Sequence, residues 1–163
     1  MLVLHDSSDY WSYLYEQLPG HELVYISTYG IKGMEFVTWD MHPVQRIIKR
    51  HDFRPTDFRI IVGIPYFQDC FPECPHCKII KKEMRSGIVK NVKYLEEPPY
   101  NCKIAIANDF HMKMICTESF VVLGGRNFTG SNWDDLSIVV TKKNEIKTFI
   151  DIFMKDWDFH KYS

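Results

Sequence analysis

Three stretches of this chain carry side chains whose types and spacing could do chemistry. The first is HMKMICTESFVVLGGRNFT, residues 111–129, where a histidine and a lysine stand two apart in an otherwise apolar run. In a strand, residues i and i+2 share a face, so His111 and Lys113 would stand side by side. A desolvated ammonium is costly unless an anion or strong acceptors meet it. Two readings follow: an edge strand whose lysine points to water and guards against aggregation, or a site for an anion. The continuation favours the anion. TES can turn the chain, FVVLGG returns it, two glycines allow close backbone approach, and Asn127 then presents an amide donor. Histidine, lysine and asparagine together form a cradle for phosphate.

The second stretch, CFPECPHC, places Cys70, Cys74 and Cys77 in CxxxCxxC spacing with His76 inside it. Two thiolates separated by two residues suit one tetrahedral zinc ion, and Cys102 is the best fourth ligand, ahead of His76 or a residue of a partner chain. The alternative is three free thiols in a loop. The same spacing occurs in iron–sulfur radical enzymes, but their fold needs a much longer chain. Cys116 reads as core packing. The third stretch, Lys78 to Lys93, holds six basic residues and one acidic one. It could neutralise several backbone phosphates or be a solvated face. Lys78, Lys81, Lys82 and Arg85 are its leading contacts.

The elements that must position these groups follow from patterning. Residues 7–18 have a Ser/Asp start and helical apolar spacing, closed by Pro-Gly. Residues 22–28 and 58–64 read as β-branched strands, with a helix over 42–52 between them. Strand, helix, strand points to an α/β sheet with a crossover. Residues 30–36 read as a glycine-containing turn. Residues 65–77 read as loop, 78–87 as a short basic helix or an extended basic segment, and 88–99 as a strand ending in a turn. Strands are expected at 102–107, 111–116, 119–125 and 136–141. A closing helix over 144–160 carries Ile146, Phe149, Ile150, Phe153 and Trp157 as one stripe.

These residues resemble a known family. HMKMICTE is similar to the HxKxxxxD signature of the phospholipase D superfamily, with His111, Lys113 and Glu118 at the motif positions. GGRNFT resembles the GSxNFT that follows it, and NWDDLSIVV resembles the acidic residue and strand beyond. The resemblance covers Lys103 to Trp157 in detail and the earlier elements in order only. Three departures stand out: glutamate for the motif aspartate, a spacer one residue short, and Gly125 in place of serine. The last two loosen the phosphate cradle.

The resemblance implies an α/β fold, a mixed β-sheet flanked by helices, with one HKD motif per chain. It makes residues 1–163 a single domain with a cysteine-rich insertion at about 66–80. It implies a phosphodiesterase that needs no metal for catalysis. One histidine attacks phosphorus, a second protonates the leaving oxygen, and Lys113 and Asn127 stabilise the non-bridging oxygens. The family's site uses two motifs, so a chain with one is expected to form a symmetric homodimer. Asp135, ahead of Asp134, is the residue expected to orient the histidine across the two-fold axis. Glu118 enters the catalytic set through the motif, more as a support or turn residue than as a reacting group. Gly125 and Ser131 are candidate substrate contacts, and Phe110, Phe128 and Trp133 could stack on bases, with core packing the default for the phenylalanines.

Composition narrows the substrate less. A net charge of −1 gives no global footprint for nucleic acid, so any anion site is local. The start of the chain lacks the pattern of a secretory leader, and no run is long and apolar enough to span a membrane. Five cysteines, an odd number, argue against a disulfide framework and for the cytoplasm. The expected activity is therefore an endonuclease on DNA, ahead of RNA. The alternatives are a phospholipid-type phosphodiesterase and a non-catalytic nucleic-acid-binding module.

Overall fold

The computed structural model describes residues 1–28, 43–64, 75–108, 110, 112–124 and 136–161, without the side chains of 43–45, 76–77, 80–81 and 91. The expected turn at 30–36 lies outside them. Seven strands form one mixed sheet: β1 (Leu2–Leu4), β2 (Leu23–Thr28), β3 (Asp57–Ile64), β4 (Lys103–Asn108), β5 (Met114–Thr117), β6 (Val121–Gly124) and β7 (Ser137–Val140). Their spatial order is β1-β7-β6-β5-β2-β3-β4. The pairs β2/β3 and β3/β4 are parallel, and the remaining pairs are antiparallel. The helices are α1 (Ser7–Gln17), α2 (Pro43–Ile48), α3 (Pro75–Val92) and α4 (Lys143–His160), with a 3₁₀ turn at Lys93–Glu96.

Residue alternation sorts the two faces. Leu4, Ile26, Ile60, Ile115, Val122 and Val139 look toward a core shared with Tyr10, Trp11 and Leu14 of α1, Ile47 and Ile48 of α2, and Val92 of α3. Tyr25, Ile61, Ala105, Met114, Cys116 and Val121 look the other way, onto Ile146, Phe153 and Trp157 of α4. Phe149 and Ile150 complete that stripe as partly buried members, as their spacing predicts. Tyr25 stacks on Phe153 at 4.7 Å between ring centroids. Helix α1 opens with Asp6 accepting from the backbone N–H of Asp9 at 2.9 Å, while the backbone N–H of His5 donates to Asp9 at 3.1 Å, a reciprocal cap.

Two expectations change. Residues 88–92 end an 18-residue helix instead of starting a strand. Ile88, Val92 and Leu95 recur at four and three, a helical spacing that puts all three against one core. Gly87 does not stop the helix, since a side chain there would meet nothing within 4 Å and the position is simply open. From Pro75 onward the chain is helix α3 of the β3–α3–β4 crossover; residues 65–74, most of the expected cysteine-rich insertion, lie outside the described part. The three-residue β1, which sequence patterning did not mark, closes one end of the sheet against β7.

Candidate active site

The register gathers one row of residues at one end of the sheet. Leu4 pairs with Ser137, Ser137 with Gly124, and the backbone N–H of Gly124 donates to the Lys113 carbonyl at 3.5 Å. Met114 then pairs with Ser27, next to Thr28 where β2 ends. The parallel strands β3 and β4 finish toward this same end, at the paired residues Ile64 and Asn108. Here the chain leaves β6 for the GGRN segment, re-enters at β7, and begins β5 directly after Lys113. Strand β5 starts at Met114, so Lys113 is the residue before the strand rather than one within it.

Lys113 is partly buried and makes no side-chain hydrogen bond or ion pair among the described residues. Ile115 faces the core of α1, so alternation sends Lys113 to that same face. Gly124 and Ser137 lie beside it in register, and together with Tyr10 and Ser27 they line one small cavity. The Ser137 hydroxyl is fully buried and has no hydrogen-bond partner among the described residues. A Cβ on Gly124 would run into the Ser137 hydroxyl and lie 2.8 Å from its Cβ, so only glycine fits opposite this serine. Ser137 was not foreseen as a site residue. The signal was present: in LSIVV it takes a buried position of the alternation that Val139 also takes.

His111, Asn127, Asp135, Gly125 and Ser131 lie outside the described residues, as do Asp134, Phe128 and Trp133. Phe110 is buried beside α4, with its ring edge-on to His160 at 5.5 Å, which makes it a core residue and not a base platform.

Glu118 is placed elsewhere. It follows the far end of β5, five residues from Lys113, which at 3.3–3.4 Å per residue is roughly 17 Å away. Its carboxylate accepts from the backbone N–H groups of Glu22 and Leu23 at 3.3 and 3.2 Å and meets Nδ1 of His21 at 2.8 Å. Burial alone would raise the Glu118 pKa. Hydrogen bonds from its own backbone, His21 and Leu23 outweigh that and hold it below the ordinary value. Glu118 therefore pins the start of β2 to the β5–β6 turn, at the opposite end of β5 from Lys113. His21, its partner, was the residue sequence reading missed; nothing local in the sequence links the two.

Cys102 is also relocated. Cys77 sits near the first turn of α3, while the backbone N–H of Cys102 donates to Leu95, just past its last turn, at 2.7 Å. From Cys77 to Val92 the helix rises roughly 22 Å. Because α3 runs back between parallel strands, its start lies where β3 ends and Cys102 lies where β4 begins. One chain cannot bring Cys77 and Cys102 to one ion. The Cys102 thiol is buried in the core, and desolvation raises its pKa well above the ordinary value. Cys70 and Cys74, and the side chains of His76 and Cys77, lie outside the described residues. Among the described residues no three potential ligands cluster.

The basic segment stands on α3. Lys78 and Lys82 are exposed near the helix start and Arg85 is partly buried further along; the Lys81 side chain is not described. The helix start follows the end of β3, so Lys78 and Lys82 stand at the same end of the fold as Lys113. Arg85 lines a cavity of about 150 Å³ with Glu96, Ile104 and Lys161, away from that end.

No protein-family model matches the chain, and no curated protein matches it in sequence. Solved structures do. NucT from Helicobacter pylori aligns over 91% of this chain and 87% of its own, with a TM-score of 0.56 and 13% identity. Nuc from Salmonella typhimurium, a phospholipase D family member, aligns over 91% and 84%, with a TM-score of 0.52 and 11% identity. The chain has the phospholipase D-like, Nuc-type fold. TrmBL2, an archaeal chromatin protein that binds DNA, contains the same architecture: 98% of this chain aligns at a TM-score of 0.57 and 13% identity. This chain spans 52% of TrmBL2, so the likeness concerns about half of that protein. In this phospholipase D-like fold the mixed sheet and its flanking helices agree with the architecture expected from sequence. Among the described residues no helix is long and apolar enough to cross a membrane.

Proposed function

We propose that this chain is a phosphodiesterase that cuts nucleic acid, DNA ahead of RNA, through a covalent phosphohistidine in a site completed by a second copy of the chain. His111 of one copy attacks phosphorus while His111 of the other protonates the departing oxygen, and that second imidazole then takes a proton from the water that releases the product. Lys113 and Asn127 carry the charge on the non-bridging oxygens, and Asp135 orients the histidine across the two-fold axis. Gly125 and Ser131 border the phosphate, and Lys78, Lys81, Lys82 and Arg85 follow the backbone beyond it. The chemistry needs no metal. A zinc ion on Cys70, Cys74 and Cys77 would be structural, with its fourth ligand other than Cys102. The cytoplasm suits the thiols.

The observation that carries this reading is the register. Lys113, the start of the GGRN segment at Gly124 and the start of β7 meet at one sheet end, the same end as the exposed basic start of α3. A partly buried ammonium without a partner among the described residues at that end suits an anion. The test is cleavage of single-stranded and duplex DNA in EDTA by wild type, His111→Ala and Lys113→Ala. Cutting that persists in the chelator and disappears in both variants is expected; equal cutting by wild type and His111→Ala would overturn the mechanism. The likeness to TrmBL2 supports a second reading, a DNA-binding module without cleavage. It predicts retarded DNA bands, no products, and no effect of His111→Ala.

A further inference from the structure

We infer that Ser137 is a positioning residue for Lys113, holding its ammonium through one bridging water above the bare backbone of Gly124. The inference rests on the function proposed above for Lys113, and adds a residue that lies outside the HxK and GGRN motifs.

Three facts meet at this spot. Lys113, Gly124 and Ser137 stand in one cross-strand row on β5, β6 and β7, on the face covered by α1. Neighbouring strands are about 4.8 Å apart, so Lys113 and Ser137 are roughly 10 Å apart across the middle strand. A lysine's four-carbon stem is long enough to approach the hydroxyl, and with the stem short of full extension one water with a hydrogen bond on each side fits between them. The middle strand contributes no side chain, because a Cβ at Gly124 would collide with Ser137. The Ser137 hydroxyl takes the place that a Gly124 side chain would fill, and so reaches across the glycine toward Lys113.

Both ends also lack another partner among the described residues. The Ser137 hydroxyl is completely buried without a hydrogen bond among the described residues, a condition that favours a bound water. Lys113 makes no side-chain bond to any described residue. Both line one cavity, whose room for a water-sized sphere is about 10 Å³, close to the space one water requires. Tyr10 of α1 and Ser27 also border it. A water there accepts from the ammonium and either donates to or accepts from the serine. The ammonium then enters the phosphate site already oriented, an effect on the rate of the chemical step more than on substrate affinity.

The test compares Ser137→Thr with Ser137→Val, two side chains of nearly equal shape that differ in the hydroxyl, alongside Ser137→Ala. Thermal unfolding first identifies which variants fold. In folded protein, the two Hε protons of Lys113, assigned by their loss in Lys113→Arg, are followed by NMR. They are expected to be inequivalent in wild type and Ser137→Thr, and to merge in Ser137→Val and Ser137→Ala. Cleavage is expected to lose about five- to tenfold in kcat, with KM within about twofold, in Val and Ala, and to be restored in Thr. Hε signals that stay unchanged in both Val and Ala, or a Thr variant no better than Val, would overturn the inference. The NMR comparison decides the Lys113–Ser137 link even in protein that cuts nothing, so failed cleavage counts against the proposed function alone.

Discussion

Replacing Glu118 with alanine removes three hydrogen bonds that join the β5–β6 turn to the start of β2, and the size of the loss can be worked out from their geometry. The His21 contact is short, at 2.8 Å, while the two backbone donors are longer, at 3.2 and 3.3 Å. The carboxylate side chain is 45% exposed, so water competes for it and each bond contributes at the surface scale, about 0.5–1 kcal/mol. The expected cost is about 1.5–3 kcal/mol, or a Tm lower by roughly 3–12 °C for a chain of this size. Glu118→Gln keeps one acceptor oxygen and should lose about half as much. Urea unfolding with an unchanged m-value is the assay. Because the folded carboxyl titrates below its ordinary 4.5, its contribution is complete above that pH and fades as pH falls through the folded value. The gap between wild type and Glu118→Gln should therefore narrow on acidification below pH 4.5. DNA cleavage per folded molecule should stay within a few-fold of wild type. A variant of normal stability that has lost cleavage a thousandfold would refute the reasoning and make Glu118 a reacting group.

Other outcomes follow from the same structure. Gly124→Ala should destabilise by about 1–3 kcal/mol through overpacking against Ser137, with part recovered in the Gly124→Ala/Ser137→Ala double variant, as read by urea midpoints. Asp57 is held between the Tyr25 hydroxyl at 2.6 Å and two Arg59 nitrogens at 2.8 and 3.2 Å. Burial raises its pKa, but Arg59 and Tyr25 outweigh that and lower it, so Asp57→Asn should cost about 1–3 kcal/mol near neutral pH and progressively less in acid. Tyr25, pushed up to about 12 by burial and then by Asp57, should stay protonated in an alkaline absorbance titration until most other tyrosines have ionised. Cys102 and Cys116 should resist thiol labelling at pH 8 in native protein and react on unfolding, as peptide mass analysis would show; burial raises both, Cys116 to about 12.

Legibility in the sequence tracked how local the determining force was. The α4 stripe and the β-branched runs of β2 and β3 could be read directly, because burial there follows one period. Residues 88–92 misled because Ile88, Val89 and Val92 are good strand formers; the core under α3 overrode that preference. The HxK pair was legible as chemistry, but its neighbour Ser137 became meaningful only through β6, which lies between them. Glu118 was legible by motif position as a support or turn residue, but what it supports was not. Its true role depends on a contact with His21, and no sequence pattern encodes that distance.

The pairing of β1 with β7 also has a kinetic meaning. Leu2 bonds beside Val139, and Leu4 beside Ser137, so β1 finds its partner only once β7, beyond all the other strands in sequence, has been synthesised. Strands β2, β3 and β4 can assemble with their crossovers well before that. The sheet is thus built outward from its parallel centre and finished at the β1 end, with a large loop-closure cost deferred to the last step. Until β7 arrives, the row that carries Lys113 and Gly124 has no third strand. Folding and completion of the candidate site are then the same late event, and a nascent chain stopped before Ser137 would hold the lysine without the surface that orients it.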